Sequence, residues 1–367
     1  MGTLLKDLYS PAFYERFLSI APQALPLLEP AAFMREIFAP GWEEKTLKER
    51  MSHTATSLRR YLPEDFEQAA LQLEELVTML QEASFFGASL EFLFLPDYIE
   101  KYGLAHPEAA LRAFEIITPF TSCEFAIRPF ITAYPDMLYE KLRWWSTHPN
   151  HHVRRLSSEG CRPRLPWGMA LGELKKDPSP ILGVLENLKE DPSEYVRRSV
   201  ANNLNDIAKD HPELVLSIAQ KWKGISTATD AIVKHGSRTL LKKGHRGILA
   251  HYGLQSRALD VSKLTVSHKR IPMGGNLSFQ CRVENRGKKA LVIRLEYAVY
   301  FRRKNNTHYR KVFKISERSL AGGESLEVRK QHSFRPITTR VYYPGEHRLG
   351  ILVNGSEKAV MPFRLLV

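Results

Sequence analysis

Apolar residues recur at helical spacing from the start of the chain to about residue 262. The segments LKDLYSPAFYERFLSIA, AAFMREIF, EEKTLKERMSHTATSLRRYL and EDFEQAALQLEELVTMLQEA place them at i, i+3, i+4 and i+7, which predicts amphipathic helices. Prolines and Asn/Asp/Ser clusters between these segments predict the breaks. From about residue 264 the period drops to two. Leu277, Phe279, Cys281 and Val283 share one face of NLSFQCRVEN; Leu291, Ile293, Leu295, Tyr297, Val299 and Phe301 share one face of ALVIRLEYAVYFRR; Leu349, Ile351 and Val353 repeat the pattern in HRLGILVNG. The turn sequences GG, NRGKK, KNNT, AGGE, YPGE and NGSE separate about seven such strands, the pattern of a small antiparallel sandwich. The expected fold class is multidomain, α then β: a helical domain over residues 1–262, then an immunoglobulin-like β-sandwich over 263–367.

The helical part repeats itself. His148-Pro-Asn-His-His-Val-Arg-Arg155 matches Asp191-Pro-Ser-Glu-Tyr-Val-Arg-Arg198 at a spacing of 43 residues. Weaker copies run from Asp230 through Ile232, Val233 and Lys234, and around Pro119–Pro129. A proline-containing turn, V-R-R on a helix and a second helix resembles a HEAT repeat. That resemblance implies an α-solenoid in which helix pairs bury their apolar faces on their neighbours and one set lines a concave side.

Charge placement narrows the function. The chain of 367 residues carries +13, but residues 1–141 sum to −9, residues 142–264 to +8 and residues 265–367 to +14. Basic charge confined to the last two thirds implies an oriented face for a polyanion, nucleic acid before an anionic membrane surface. Composition excludes collagen, coiled-coil fibre and wholesale disorder. No apolar run is long enough to span a membrane, the N-terminus lacks signal-peptide features, and Lys6 breaks the myristoylation pattern. Three dispersed cysteines, Cys123, Cys161 and Cys281, form neither a disulfide framework nor a zinc motif, so a reduced, cytoplasmic protein is expected. P-loop, dinucleotide, G-x-S-x-G and zincin motifs are all missing, so no cofactor is expected. His148, His151 and His152 read as a solvated turn rather than a metal site.

The chemistry-bearing segment is Leu156-Ser-Ser-Glu-Gly-Cys-Arg-Pro-Arg-Leu-Pro-Trp-Gly168, where a repeat helix would continue with apolar residues. Glu159 and Arg162 sit one turn apart, Pro163 and Pro166 stiffen a loop, and that loop delivers Trp167. Either Glu159 pairs with Arg162 and Trp167 anchors a core, or this local departure from the repeat marks function. Asn202 aligns with Glu159 at the repeat spacing, with Asp206 one turn on; these line a groove or a solvated face. Glu124, read as helical in CEFAIRP, pairs with Arg128 at i+4 or faces a cleft. The recurring pairs Arg154/Arg155 and Arg197/Arg198 are candidate DNA phosphate contacts, although in repeats of this type one arginine of each pair suits an ion pair within the stack. Lys234, Arg238 and Lys242 fall on one helical face beside Lys243, which suits phosphate contacts.

Together the VRR repeats, ExxRPRLPW, NNLND and RTLLKKG resemble the bacterial AlkC/AlkD alkylpurine DNA glycosylases. LKERMSH and the appended sandwich are similar to the AlkC branch. The resemblance spans the chain and implies a monofunctional hydrolase that removes cationic alkylated bases, such as 3-methyladenine and 3-methylcytosine, from bent duplex DNA. It places the catalytic carboxylate on Glu159, further acids on Glu124 and Asp206, and the aromatic on Trp167. Arg162 or Arg164 would hold a flanking phosphate, and Arg302, Arg303 and Lys304, with Lys288 and Lys289, would clamp the duplex from the sandwich. A monomer acting on nucleoid DNA in the cytoplasm, without membrane contact, is expected; the basic residues of the catalytic segment are arginines and offer no nucleophilic amine, so no lyase activity is expected either. Two other uses suit such a solenoid: non-catalytic binding of distorted or branched DNA, and a protein scaffold.

Overall fold

Capping and proline chemistry set where the helices begin. Ser10, Thr46, Asp65 and Asn150 each accept a first-turn backbone N–H, at 3.2, 3.4, 2.9 and 2.8 Å. Helices Pro11–Leu18, Pro30–Ile37, Pro107–Ile117 and Pro135–Trp145 open on proline, whose missing N–H costs nothing there. The computed structural model describes residues 4–85, 90–337 and 340–366. In it, α-helices run from Pro11 to His251 and eight strands from Leu259 to Leu365. Helices His151–Glu159, Glu194–Ile207 and Thr227–Gly236 pack side by side in that order, so the Asp230 copy takes its place in the stack. Around Pro119–Pro129 the chain forms turns up to Ile127, and a helix starts only at Arg128.

Packing divides the chain into two compact units: Met1–His211 with Trp222–Gly236, and Pro212–Lys221 with Ser237–Val367. In the second unit the last helices join the strands through backbone contacts. Gly244, at φ 74°, lies so close to Gly355 that a Cβ on it would stand 2.9 Å from the Gly355 carbonyl. Asn354 Nδ2 donates to Gln255 O at 2.7 Å, and Lys358 Nζ to Ser256 O at 2.9 Å. The β-structure begins at Leu259, ahead of the expected residue 263.

The strands are β1 (Leu259–Val266), β2 (Arg270–Ile271), β3 (Asn276–Asn285), β4 (Leu291–Arg302), β5 (His308–Leu320), β6 (Ser325–Ser333), β7 (Gly345–Val353) and β8 (Ser356–Leu365). They form two sheets, β1-β3-β6 and β2-β8-β7-β4-β5. Pairing is antiparallel except for the two-residue β2, the strand that period-two reading does not resolve, which lies parallel to β8. The alternating residues of β3, β4 and β7 fill one shared core, with Leu291 at its margin. Strand β4 is also buried on its other face, where Arg294 and Glu296 pair at 2.7 Å. All three cysteines are buried thiols.

Gly236 sets how closely two repeat helices approach: a Cβ there would fall 2.8 Å from Leu204 Cβ. Gly236→Ala is therefore expected to destabilise by about 1–3 kcal/mol through overpacking, measured as a drop in the urea midpoint with an unchanged slope.

Candidate active site

The repeat explains which arginines are spent on the stack. Arg154 forks onto Asp191 with bonds of 2.6 and 3.0 Å, and its Nη1 donates to His148 O and Pro149 O at 2.9 and 2.8 Å. One repeat on, Arg197 Nη1 donates to Asp191 O and Pro192 O at 2.7 and 2.9 Å. The first arginine of each pair thus ties down the turn that precedes its own helix. For Arg154 this replaces the expected phosphate contact, because every guanidinium nitrogen is engaged. The second arginines diverge. Arg198 is 73% exposed, with a loose 3.5 Å pairing to Glu194. Arg155 is turned inward to the acids of the expected site.

Those acids come together. Helix His151–Glu159 ends on Glu159, whose side chain is buried. Arg162 Nη1 donates to Glu159 Oε1 at 2.6 Å, and Arg162 Nε donates to Asp206 Oδ2 at 2.9 Å from the neighbouring helix Glu194–Ile207. Lys209 Nζ closes on Asp206 Oδ1 at 2.8 Å. On the other side, Arg155 Nη2 lies 3.6 Å from Glu159 Oε1, and Arg155 Nη1 bonds both Glu124 and Ser122 Oγ. Three carboxylates therefore alternate with cations along one line, Glu124, Arg155, Glu159, Arg162, Asp206 and Lys209, buried at Glu159, Arg162 and Asp206 and reaching solvent at Lys209. Burial opposes the charge on Arg155 and Arg162, but their carboxylate partners outweigh it and raise both pKa values. Glu159 Oε2 takes part in none of these bonds.

Several expectations change here. Glu124 sits in a turn rather than a helix, and its partner is Arg155 rather than Arg128. Arg128 is fully buried and donates to Met169 O, Gly160 O and Arg162 O at 2.6, 2.6 and 2.8 Å. It holds both ends of the loop that carries Trp167, and burial holds its pKa down to about 10. Arg162 is drawn between two acids and Arg164 forks onto Asp210 at 2.7 and 2.8 Å, so both are engaged within the protein. Trp167 anchors no core: it is 62% exposed at φ 68°. A bulky side chain in left-handed backbone is a strained choice of the kind found at functional sites. Lys48 Nζ donates to its carbonyl at 2.6 Å. Asn202 bonds His235 at 3.3 Å, while the adjacent Asn203 ties the helices together through Ser158 O at 2.8 Å.

The remaining basic residues are scattered. The helix carrying Lys234 ends at Gly236 and a new one starts at Arg238, so Lys234, Arg238 and Lys242 do not share one helix face. Lys242 and Lys243 are exposed, as are Arg303, Lys304, Lys288 and Lys289. Arg302 is bound to Asn306 and Pro344 O. Residues that pattern reading missed are Lys48, Lys209 and Tyr195, and the loop-bracing role of Arg128 was missed with them. Tyr195 stands at the repeat position of His152 and covers Arg155 at 4.8 Å. Among the described residues no cluster of metal-holding side chains occurs, and no helix is long and apolar enough to cross a membrane.

Three likenesses bear on this site. The family described as "Uncharacterised protein YhaZ, C-terminal Ig-like domain" matches residues 260–367. The chain is 39% identical over 363 residues to "Uncharacterized protein YhaZ" of Bacillus subtilis (strain 168), covering 98% of this chain and 99% of that protein. It is similar over 100% of both chains to the solved structure of Pseudomonas fluorescens alkylpurine DNA glycosylase AlkC bound to DNA containing an abasic site analog, with a TM-score of 0.92 and 33% identity.

Proposed function

The chain belongs to the AlkC/YhaZ family, and from that premise we propose that it is a DNA glycosylase hydrolysing the N-glycosidic bond of cationic, alkylated bases such as 3-methyladenine and 3-methylcytosine in duplex DNA. The observation that carries the reading is Glu159, a buried carboxylate at a helix end that is fixed through Oε1 by Arg162. An alkylated base already bears positive charge and leaves readily, so strong acid catalysis is not required. Positive charge then builds on the sugar, as in glycoside hydrolysis. A preorganised carboxylate stabilises that charge without reorganising and orients the attacking water. Asp206, fixed by Arg162 and Lys209, is the second acid. Trp167, held out on its braced loop, packs its face on the cationic base or the sugar. Bending the duplex costs a few kcal/mol, offset by contacts from Arg198, Lys242, Lys243 and the exposed cations of the sandwich.

The basic residues of the catalytic segment are arginines, which supply no nucleophilic amine, and Lys209 Nζ is engaged by Asp206 at 2.8 Å. Abasic product is accordingly expected to stay unnicked, with no protein–DNA adduct trapped by borohydride. The protein works as a monomer in the cytoplasm, without metal or cofactor.

The test is base release from duplexes carrying N3-methylated bases, without added metal, following free base and abasic sites. The competing reading is a DNA-binding protein without catalysis. It draws on the same arginine–carboxylate ties, which a purely structural network would also make. Salt-dependent binding without release from any methylated duplex would establish that alternative. Two arginines separate DNA contact from scaffold. Arg198→Ala is expected to weaken binding uniformly across sequences and to reduce the salt slope by about one. Arg154→Ala is expected to leave the slope unchanged and to cost on the order of 2 kcal/mol of stability, by stripping the buried Asp191 carboxylate of its guanidinium and leaving it the Ser193 N–H.

A further inference from the structure

Tyr195 stands in the first turn of helix Glu194–Ile207, and the stack fixes it there. Asp191 accepts the Ser193 N–H at 2.8 Å, and Arg154 from helix His151–Glu159 grips the same carboxylate. Arg197 holds the carbonyls of Asp191 and Pro192. The turn that carries Tyr195 is thereby tied to the helix that carries Arg155. The Arg155 guanidinium carbon lies over the Tyr195 ring, 4.8 Å from its centroid. The rings of His152 and His151 meet Tyr195 edge-on, with centroids 5.7 and 6.4 Å away.

Arg155 stands between two acids. Its Nη1 bonds Glu124 and Ser122 Oγ, whereas its Nη2 stays 3.6 Å from Glu159 Oε1, beyond hydrogen-bond reach. Glu159 Oε1 already accepts Arg162 Nη1 at 2.6 Å. A second guanidinium closing on this carboxylate would neutralise the charge that the proposed chemistry needs, and would strip Glu124 of its counter-charge. The aromatic ring opposes that swing. A guanidinium gains cation–π attraction only while it stays over the ring, and the Arg155 side chain is 13% exposed, so little water competes. Burial raises the Tyr195 phenol and the Arg155 charge opposes that rise, so the two groups feel each other.

We propose that Tyr195 is a positioning residue of the acid line: its ring holds Arg155 on Glu124 and off Glu159, which keeps the Glu159 carboxylate open and charged toward the substrate sugar. The role rests on the glycosylase reading. It acts through Arg155 rather than by contact with the reacting atoms, and it belongs to this repeat alone of the matched pair, since the equivalent position one repeat earlier is His152.

The experiment measures single-turnover base release from an N3-methylated duplex and, separately, affinity for an abasic duplex, in the full chain and its Tyr195→Leu and Tyr195→Phe variants. Leucine is expected to lower the rate about tenfold, the scale of a partly desolvated cation–π contact, with affinity unchanged. Phenylalanine keeps the ring and is expected to recover most of the rate. Arg155→Met completes a double-mutant cycle: with the guanidinium gone, Tyr195→Leu is expected to cost no further rate. Thermal melts check that each variant folds, and if Arg155→Met does not, the contrast between leucine and phenylalanine at constant affinity decides. A loss that persists in the Arg155→Met background overturns the proposal. So does a loss that appears as weaker DNA affinity, which would make Tyr195 a DNA contact. No release by the parent rejects the glycosylase reading and this role together; release by Tyr195→Leu at the parent rate rejects the role alone.

Discussion

Replacing Glu159 with glutamine is expected to lower single-turnover base release by about 10²–10³-fold, the scale on which one preorganised electrostatic group acts, with DNA affinity changed no more than a few-fold. Glutamine keeps the shape and an oxygen for Arg162 Nη1, so the bond seen at 2.6 Å retains an acceptor. What it loses is the negative charge beside the sugar. Arg155 keeps Glu124 as its counter-charge, so the variant does not leave that buried guanidinium alone. Asp206→Asn differs, because among the described residues Asp206 is the one carboxylate bonded by Lys209 and one of two bonded by Arg162. It is expected to lower both rate and melting temperature, whereas Glu159→Gln mainly lowers rate. Single-turnover release and thermal melts on both variants check this. Near-normal release by Glu159→Gln beside an inert, well-folded Asp206→Asn would move the chemistry to Asp206.

Much of the fold was legible because each period has one physical meaning. The alternation in β3 and β7 named core residues directly. It does not reach the second face of β4, where Arg294 and Glu296 are buried as a pair. In the site, the repeat offset linked Glu159 to the Asp206 helix, and the break at Arg162 and Pro163 marked the loop. Partner choice was not legible. Glu124 and Arg128 stand four apart, which on a helix means contact; the turn at 124–127 removes that geometry and sends each to a partner some thirty residues away. Arg154 and Arg155 are adjacent and chemically identical, and only the packed turn decides that one grips Asp191 while the other faces Glu124.

Arg128→Met is expected to cost about 3 kcal/mol or more, with base release falling alongside. Arg128 makes three bonds to backbone carbonyls, and the side chain is wholly inaccessible. Methionine fills part of the space but leaves the oxygens of Gly160, Arg162 and Met169 without a donor, and each such orphan costs about 1–3 kcal/mol. Relief of the buried charge offsets part of this, since burial already pulls the Arg128 pKa down to about 10. Lysine rescues little: a single ammonium cannot reproduce the planar fork that spans both loop ends. Activity is lost through Trp167, whose left-handed backbone relies on a loop closed at Gly160 and Met169 and on the Lys48 bond to its carbonyl. Lys48→Met, which removes that bond from an exposed side chain, is expected to lower the rate with little change in melting temperature. Denaturant unfolding and single-turnover release on the three variants test this. An Arg128→Met protein as stable and as fast as the parent would show that the loop holds its shape without its buried cation.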